Sequence, residues 1–348
     1  MKKFSFIIPV YNCADNIVQC VKNIQRIGME QYEIIVIDDG STDNSGQICK
    51  RLFDKIHMVK YVYQENQGVS AARNKGLSIA DGDYVIFLDV DDAIEPQKFL
   101  DLFRKLDDDP DIDLVVFGHS FDYYCKNKLY RIDEMKTPLS GIIKSSLWIS
   151  KLEELYCTNS LTPIWNKIFK RDFLVKNKIY LRKDMFLYED LEYSLRCIAR
   201  CKKILFEPEI IYHYRQSENT IKRLQRVEHI SDLIQHIEEA FIYFLKEKHA
   251  EEMRSVADHI LLSLYLVLAR EKISISDFKK IEVVCDDFTA WYYSKNFQKI
   301  KSDEIFIDDL LKHRIIKLVV ERNYTMVRHR IAVKVKSSSL YKKRNNRK

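Results

Sequence analysis

The sequence predicts an α/β protein with a Rossmann-like sheet flanked by helices, followed by a mainly helical C-terminal region. Short apolar runs alternate with helix-period segments through the first 120 or so residues. Those runs are apolar on both faces, as strands covered by helices on either side must be. Beyond about residue 225 the periodicity becomes helical throughout, as in HISDLIQHIEEAFIYFLKE and SVADHILLSLYLVLARE.

FSFIIPV (4–10) reads as the first strand, and 14–27 as a helix with Ile17, Cys20, Val21 and Ile24 on one face. YEIIVID (32–38) is a second strand and breaks into DDGSTDNSG (38–46), rich in turn-forming Asp, Ser, Asn and Gly. A helix through Ile48, Leu52 and Phe53 leads to the strand HMVKYVYQ (57–64). NQGVSAARNKGLSIA (66–80) opens as a loop and continues as a helix. DYVIFLD (83–89) is a strand, EPQKFLDLFRKL (95–106) a helix with Pro in its first turn, and IDLVVFGHS (112–120) a further strand. Residues 121–160 carry no clear period. TPIWNKIFKRDFLVKNKI (162–179) reads as a Pro–Trp entry into a helical stretch. FLYEDLEYSLRCIARC (186–201) is a helix and ILFEPEIIYHYR (204–215) a strand.

With 348 residues, 46% hydrophobic and 31% charged, the chain can bury a sizeable core, and disorder is not its default. Its eight cysteines form no CxxC pair. Cys197 and Cys201 lie one helical turn apart but lack neighbours with zinc-ligand spacing, so reduced thiols in a cytoplasmic protein are expected. MKKFSFIIPVYN breaks at Pro9 and is too short for a signal peptide. ILLSLYLVLA (260–269) is about half the ~20 residues a membrane helix needs.

The net charge of +6 is unevenly placed. Residues 312–348 hold thirteen Lys or Arg against one acid, Glu321, hence +12, which leaves −6 for residues 1–311. Such a tail suits an anionic surface, and peripheral contact with the inner face of the cell membrane is the expectation. A nucleic-acid partner is not expected: the tail has only Tyr324 and Tyr341 as interleaved aromatics, and no nucleic-acid module is present.

The strand ends carry Asp38-Asp39, Asn66 and the run Asp89-Val90-Asp91-Asp92, where open α/β sheets bind ligands. Three carboxylates within four positions repel and raise one another's pKa. Capping the next helix needs only one of them. A divalent cation resolves the clash, because Mg2+ or Mn2+ takes one or two carboxylates plus substrate phosphate oxygens.

FSFIIPVYN, YEIIVIDDGSTD, NQGVSAARNKGL and DYVIFLDVDD, in this order, resemble the family 2 glycosyltransferases of the GT-A fold over about residues 4–120. WNKIFKR (165–171), YED (188–190) and HYR (213–215) extend the likeness more loosely to about residue 220. The resemblance implies a mixed GT-A sheet with Pro9 and Tyr11 lining the nucleotide base and Asp39 accepting from uracil. Asn66, Ala71 and Arg73 would border the nucleotide. Asp89 and Asp91 match the DxD motif: the first approaches ribose or sugar, the second holds the metal, and Asp92 orders the loop. Glu189 and Asp190 match the catalytic pair, with Asp190 as general base, and His213 and Arg215 would lie near the diphosphate.

Residues 1–120 then form a nucleotide-sugar-binding half, 121–220 an acceptor-side half with the base, 221–311 a helical region and 312–348 a basic tail. The implied reaction moves a hexosyl or N-acetylhexosaminyl group from a UDP-sugar to an acceptor glycan or lipid-linked saccharide, with Mn2+ or Mg2+ as cofactor. A leaving diphosphate needs neutralising and the acceptor hydroxyl needs a base, and one base with in-line attack predicts inversion. The competing reading, a catalytically silent nucleotide-sugar-binding subunit, would be expected to lack Asp91 or Asp190, and both are present. Each motif alone has a plain structural explanation. Glu189-Asp190 could simply place negative charge at a helix N-terminus, and Trp165 is more often core than acceptor platform.

Overall fold

The computed structural model describes residues 3–216, apart from 110, 126–127, 145–147, 149–150 and 186–188. The chain divides into two compact units, Met1–Ile221 and Lys222–Lys348, and all described residues belong to the first. The helical region 221–311 and the basic tail 312–348 therefore lie outside the described residues.

The N-terminal half follows the sequence pattern closely. Strands β1 (Phe4–Val10), β2 (Tyr32–Asp39), β3 (Val59–Gln64) and β4 (Tyr84–Phe87) run parallel in the order β3-β2-β1-β4. Helices α1 (Ala14–Gln25), α2 (Ser45–Lys55) and α3 (Val69–Ile79) connect them. Helix α1 buries Ile17, Cys20, Val21 and Ile24, the face its period marks out. Phe4 sits in an aromatic cluster, stacked on Tyr84 at 5.5 Å and edge-on to Phe99 and Phe103 of α4 (Pro96–Asp108) at 5.8 and 5.3 Å. This packing makes β1 and β4 a rigid base for the loops that leave their carboxyl ends.

Beyond β4 the sheet becomes mixed, with the full order β3-β2-β1-β4-β9-β6-β10-β5. The short β5 (Ala93–Ile94) precedes α4 and pairs antiparallel with β10 (Lys203–Gln216). Residues 121–160 contain strands that periodicity did not reveal: β6 (Leu114–Cys125) runs on into them, and β7 (Lys128–Met135), β8 (Gly141–Lys144) and helix α5 (Leu152–Cys157) follow. β7 pairs antiparallel with β6, β8 pairs antiparallel with β10, and β6 and β10 lie parallel.

The helical stretch expected over 162–179 is only partly helical. Lys167–Lys170 is strand β9, inserted antiparallel between β4 and β6, and the helix α6 is confined to Arg171–Lys176. A central strand slot buries Ile168 and Phe169, and that tertiary demand overrides a local period too short to decide. Lys167 is fully buried there. Its ammonium donates to the Ser160 and Pro163 carbonyls and to Asn166 Oδ1, which tie the preceding loop to the strand.

Helix α3 packs on β1 through Gly76, where a Cβ would lie 2.3 Å from the buried Ile7 Cγ2. Gly76→Ala gains about 1 kcal/mol of helix propensity but overpacks a closed core, at a cost of roughly 1–3 kcal/mol. Net destabilisation is expected, read as a lower urea midpoint; a raised midpoint would show that the α3–β1 contact is loose.

Candidate active site

Two loops at the carboxyl ends of β1 and β2 are built as one unit. Asn12 adopts φ 52°, and its Oδ1 accepts the Thr42 and Asp43 amides at 2.8 and 3.3 Å. Asp43 Oδ2 accepts the Ala14 amide, so the first turn of α1 is capped from the neighbouring loop. Asp38 accepts the Ser41 amide and the Tyr61 hydroxyl, both at 2.9 Å. Asp39 Oδ1 accepts Gln64 Nε2 and the Gln67 amide, and its Oδ2 accepts the Gly68 amide at 2.8 Å. Gly40, at φ +76°, allows Asn66 to approach: a Cβ there would lie 2.8 Å from the Asn66 amide nitrogen. Pro9 and Tyr11 flank the end of β1, and Tyr11 is half exposed.

The centre of the site is Arg73. Its side chain is 4% exposed, yet it lies between two carboxylates from distant parts of the chain. Nη2 donates to Asp89 Oδ1 at 2.8 Å, and Nη1 donates to Asp190 Oδ1 at 3.2 Å. Nε is buried with no hydrogen-bond partner among the described residues. Asp89 lies just beyond β4, and Asp190 in the first turn of α7 (Glu189–Arg200). Burial opposes the Arg73 charge, but Asp89, Asp190 and Glu189 hold its pKa above the usual range. Burial pushes Asp190 up to about 7 against the pull of Arg73, with Glu189 and Asp89 adding to the push. Glu189 is raised as well, by burial first. About a fifth of the Asp190 side chain stays exposed, so a substrate group can reach it.

Asp91 is exposed, and Asp92 turns inward. Asp92 accepts the Tyr212 hydroxyl at 2.6 Å and the Arg215 amide at 2.7 Å, and the Asp89 amide donates to that same hydroxyl at 3.3 Å. The carboxylate loop is thereby fastened to β10. Burial, with Asp89 and Asp91 nearby, raises the Asp92 pKa well above the ordinary carboxylate range. His213 shares that strand, with Nδ1 2.9 Å from Ser120 Oγ, and the Arg215 guanidinium lies 4.2 Å above the Tyr124 ring.

Of the residues picked out from sequence, the structure joins Asp89, Arg73 and Asp190 by direct contact. The Asp92 bonds bring the backbone of Arg215 to the same loop. Asp39 holds the 64–68 loop in addition to any ligand role. Trp165 is core: it is 5% exposed and stacks on Tyr212 and Tyr214 at 4.6 and 5.1 Å. Asn12, Tyr212, Ser120 and Asp122 were missed. Alternation in YHYR and in HSFD places Tyr212, Ser120 and Asp122 each on a definite strand face, but nothing in the sequence names its partner, and Asn12 lies in the turn after β1. Among the described residues no three His, Cys, Asp or Glu side chains gather as a cation cage, and Cys20, Cys49, Cys197 and Cys201 are free thiols.

Residues 5–173 match the family model described as glycosyl transferase family 2. Residues 5–173 thus form a glycosyltransferase family 2 domain. YibD, an uncharacterized glycosyltransferase of Escherichia coli K12, is 27% identical over 225 residues, covering 64% of each chain and thus less than two thirds of that relative's length. The cholesterol galactosyltransferase of Borreliella burgdorferi is 26% identical over 323 residues, 85% of this chain and 87% of that one. Staphylococcus aureus TarS, solved with UDP, superposes with a TM-score of 0.69 at 18% identity, covering 94% of this chain and 90% of that one. TarS has also been solved with UDP-GlcNAc. The chain thus has a GT-A-like fold.

Arg73→Met would leave Asp89 and Asp190, both partly exposed, without their shared cation. Breaking a fully buried ion pair costs about 3–5 kcal/mol; solvent at the two carboxylates lessens this, and urea denaturation should show a loss of roughly 1–3 kcal/mol. Near-native stability would mean that water or another group already shares their charge.

Proposed function

We propose that this chain is a metal-dependent inverting glycosyltransferase. It would move a hexosyl or N-acetylhexosaminyl group from a UDP-sugar to a hydroxyl of a glycan or lipid-linked saccharide during cell-surface polysaccharide synthesis. The observation that carries this reading is the Arg73 bridge. It holds a carboxylate of the donor-side loop and a carboxylate with raised pKa within one guanidinium of each other. TarS, solved with UDP and with UDP-GlcNAc, supports a uridine donor through the shared fold. Asp39 Oδ2 accepts one bond and keeps capacity for a uracil N3–H. The galactosyltransferase relative, whose name includes cholesterol, supports a lipidic acceptor.

In this mechanism Asp190 takes the proton of the acceptor hydroxyl as its oxygen bonds to the anomeric carbon. The bond from that carbon to the diphosphate oxygen breaks, and UDP leaves with the electron pair. One displacement inverts the anomeric centre. Arg73 orients Asp190 through Nη1 and pairs with Asp89 through Nη2, while Arg215 and His213 face the leaving diphosphate. Asp91, exposed beside Asp89, fits a hard cation that takes one or two carboxylates and fills its remaining positions with phosphate oxygens. Mn2+ or Mg2+ held there would neutralise the departing charge. The basic tail, at +12, would hold the enzyme weakly at an anionic membrane face.

Asp190→Asn should lower transfer by about 10²–10⁴-fold while UDP binding, measured by calorimetry, is kept; full activity would remove Asp190 from the base role. An acid with raised pKa is protonated below that value and cannot accept a proton there. In the wild type kcat/KM should therefore rise with pH through about 7, and the limb should vanish in D190N. UDP release from a panel of UDP- and GDP-sugars with Mn2+ identifies the donor. Asp91→Ala should abolish the metal-dependent part of that release, and turnover unchanged by the substitution would contradict the metal assignment. Truncation after residue 311 should weaken binding to anionic liposomes at low salt; unaltered binding would rule out the tail as the contact.

A further inference from the structure

Strands β6 and β10 lie parallel with Ser120 beside His213 and Asp122 beside Arg215. Two residues apart on one strand, Ser120 and Asp122 share a face. Both are buried, Ser120 completely and Asp122 at 7% exposure. Ser120 Oγ donates to Asp122 Oδ1 at 2.6 Å and lies 2.9 Å from His213 Nδ1. Asp122 Oδ2 lies 3.4 Å from the same nitrogen.

The proton inventory of these three groups decides their direction. A carboxylate only accepts, and a serine hydroxyl has a single proton. With that proton on Asp122, Ser120 Oγ can only accept from the imidazole. Asp122 Oδ2, the second neighbour of Nδ1, can only accept as well. Nδ1 must therefore be the protonated ring nitrogen. We infer that Asp122 and Ser120 form a buried relay that fixes the tautomer and orientation of His213, so that Nε2 is the atom presented to a bound nucleotide-sugar donor. Ser120 and Asp122 are positioning residues that act through His213. Among the described residues, the other charged group at the ring is Glu95, whose Oε2 is 4.0 Å from Nε2 on a half-exposed side chain. Glu95 thus neighbours the ring nitrogen that the relay does not contact. This inference rests on the reading of His213 as a residue at the leaving diphosphate.

The relay is tested on the wild-type full-length chain, without any substitution, by 15N NMR of the histidine side chains. The spectrum is taken at about pH 9, well above the ordinary imidazole value, and His213 is assigned with H213Q. Nδ1 is expected to be of the protonated, pyrrole type and Nε2 of the lone-pair type; the reverse pattern overturns the relay. Ser120→Ala should keep the tautomer, because Asp122 Oδ2 can accept a hydrogen bond from Nδ1–H directly. Asp122→Ala should lose it, because Ser120 can then donate to Nδ1. With UDP-sugar as substrate, D122A should lower kcat by up to about 10²-fold with little change in acceptor KM. In an H213A background D122A should cause no further loss. Additive losses would mean that Asp122 works by some route other than His213. Full turnover in H213A would overturn the placement of His213 at the diphosphate even where NMR finds Nδ1–H, so the two failures are separable.

Discussion

A buried guanidinium needs anions, and this fold supplies Arg73 with two. Taking each ion out of water costs several kcal/mol, which is recovered only while every partner stays in place. Arg73 comes from α3, Asp89 from the loop after β4, and Asp190 from α7, more than a hundred residues further on. Moving any one of the three elements strands a charge. Lysine could not replace it, because a single ammonium lacks the planar fork that reaches two separated acceptors. The same bridge sets the chemistry of Asp190. Burial raises its pKa and the guanidinium lowers it, which leaves a carboxylate that titrates near neutral pH.

The rest of the sheet serves that contact. The aromatic packing around Phe4 holds β1 and β4, and so the start of the carboxylate loop. Tyr212 and Asp92 fasten the other end of that loop to β10, where Trp165 stacks on Tyr212 and Tyr214 behind it. Antiparallel β9 joins the two halves, since it pairs with β4 on one side and β6 on the other. Strands β1 to β4 and the strand that carries His213 and Arg215 therefore belong to one sheet. This allows residues distant in sequence to be held at fixed separations.

How much of this was legible depended on whether the signal was local. The strands and helices of the first half alternate with clear periods, and the carboxylates at their ends stand where a parallel sheet puts a site. β9 was not legible: KIFK flanked by basic residues reads as part of a helix, and only the slot between β4 and β6 makes it a strand. The β6–β7 pairing was hidden because β7 is largely exposed and lacks an apolar face. Arg73 could be picked out by family resemblance, but nothing in ARN shows that it is buried or that it reaches Asp190. Ser120 and Asp122 were invisible for the same reason, since their meaning comes from the neighbouring strand.

If one carboxylate at the Arg73 bridge carries out the transfer, the sugar passes from diphosphate to acceptor in a single displacement. Proton NMR of the isolated product, with the donor of known anomeric configuration, reads this through the coupling at the anomeric carbon. An inverted linkage is expected. A retained one would require a second nucleophile or a different leaving geometry, and would contradict the assignment of Asp190 as the sole base.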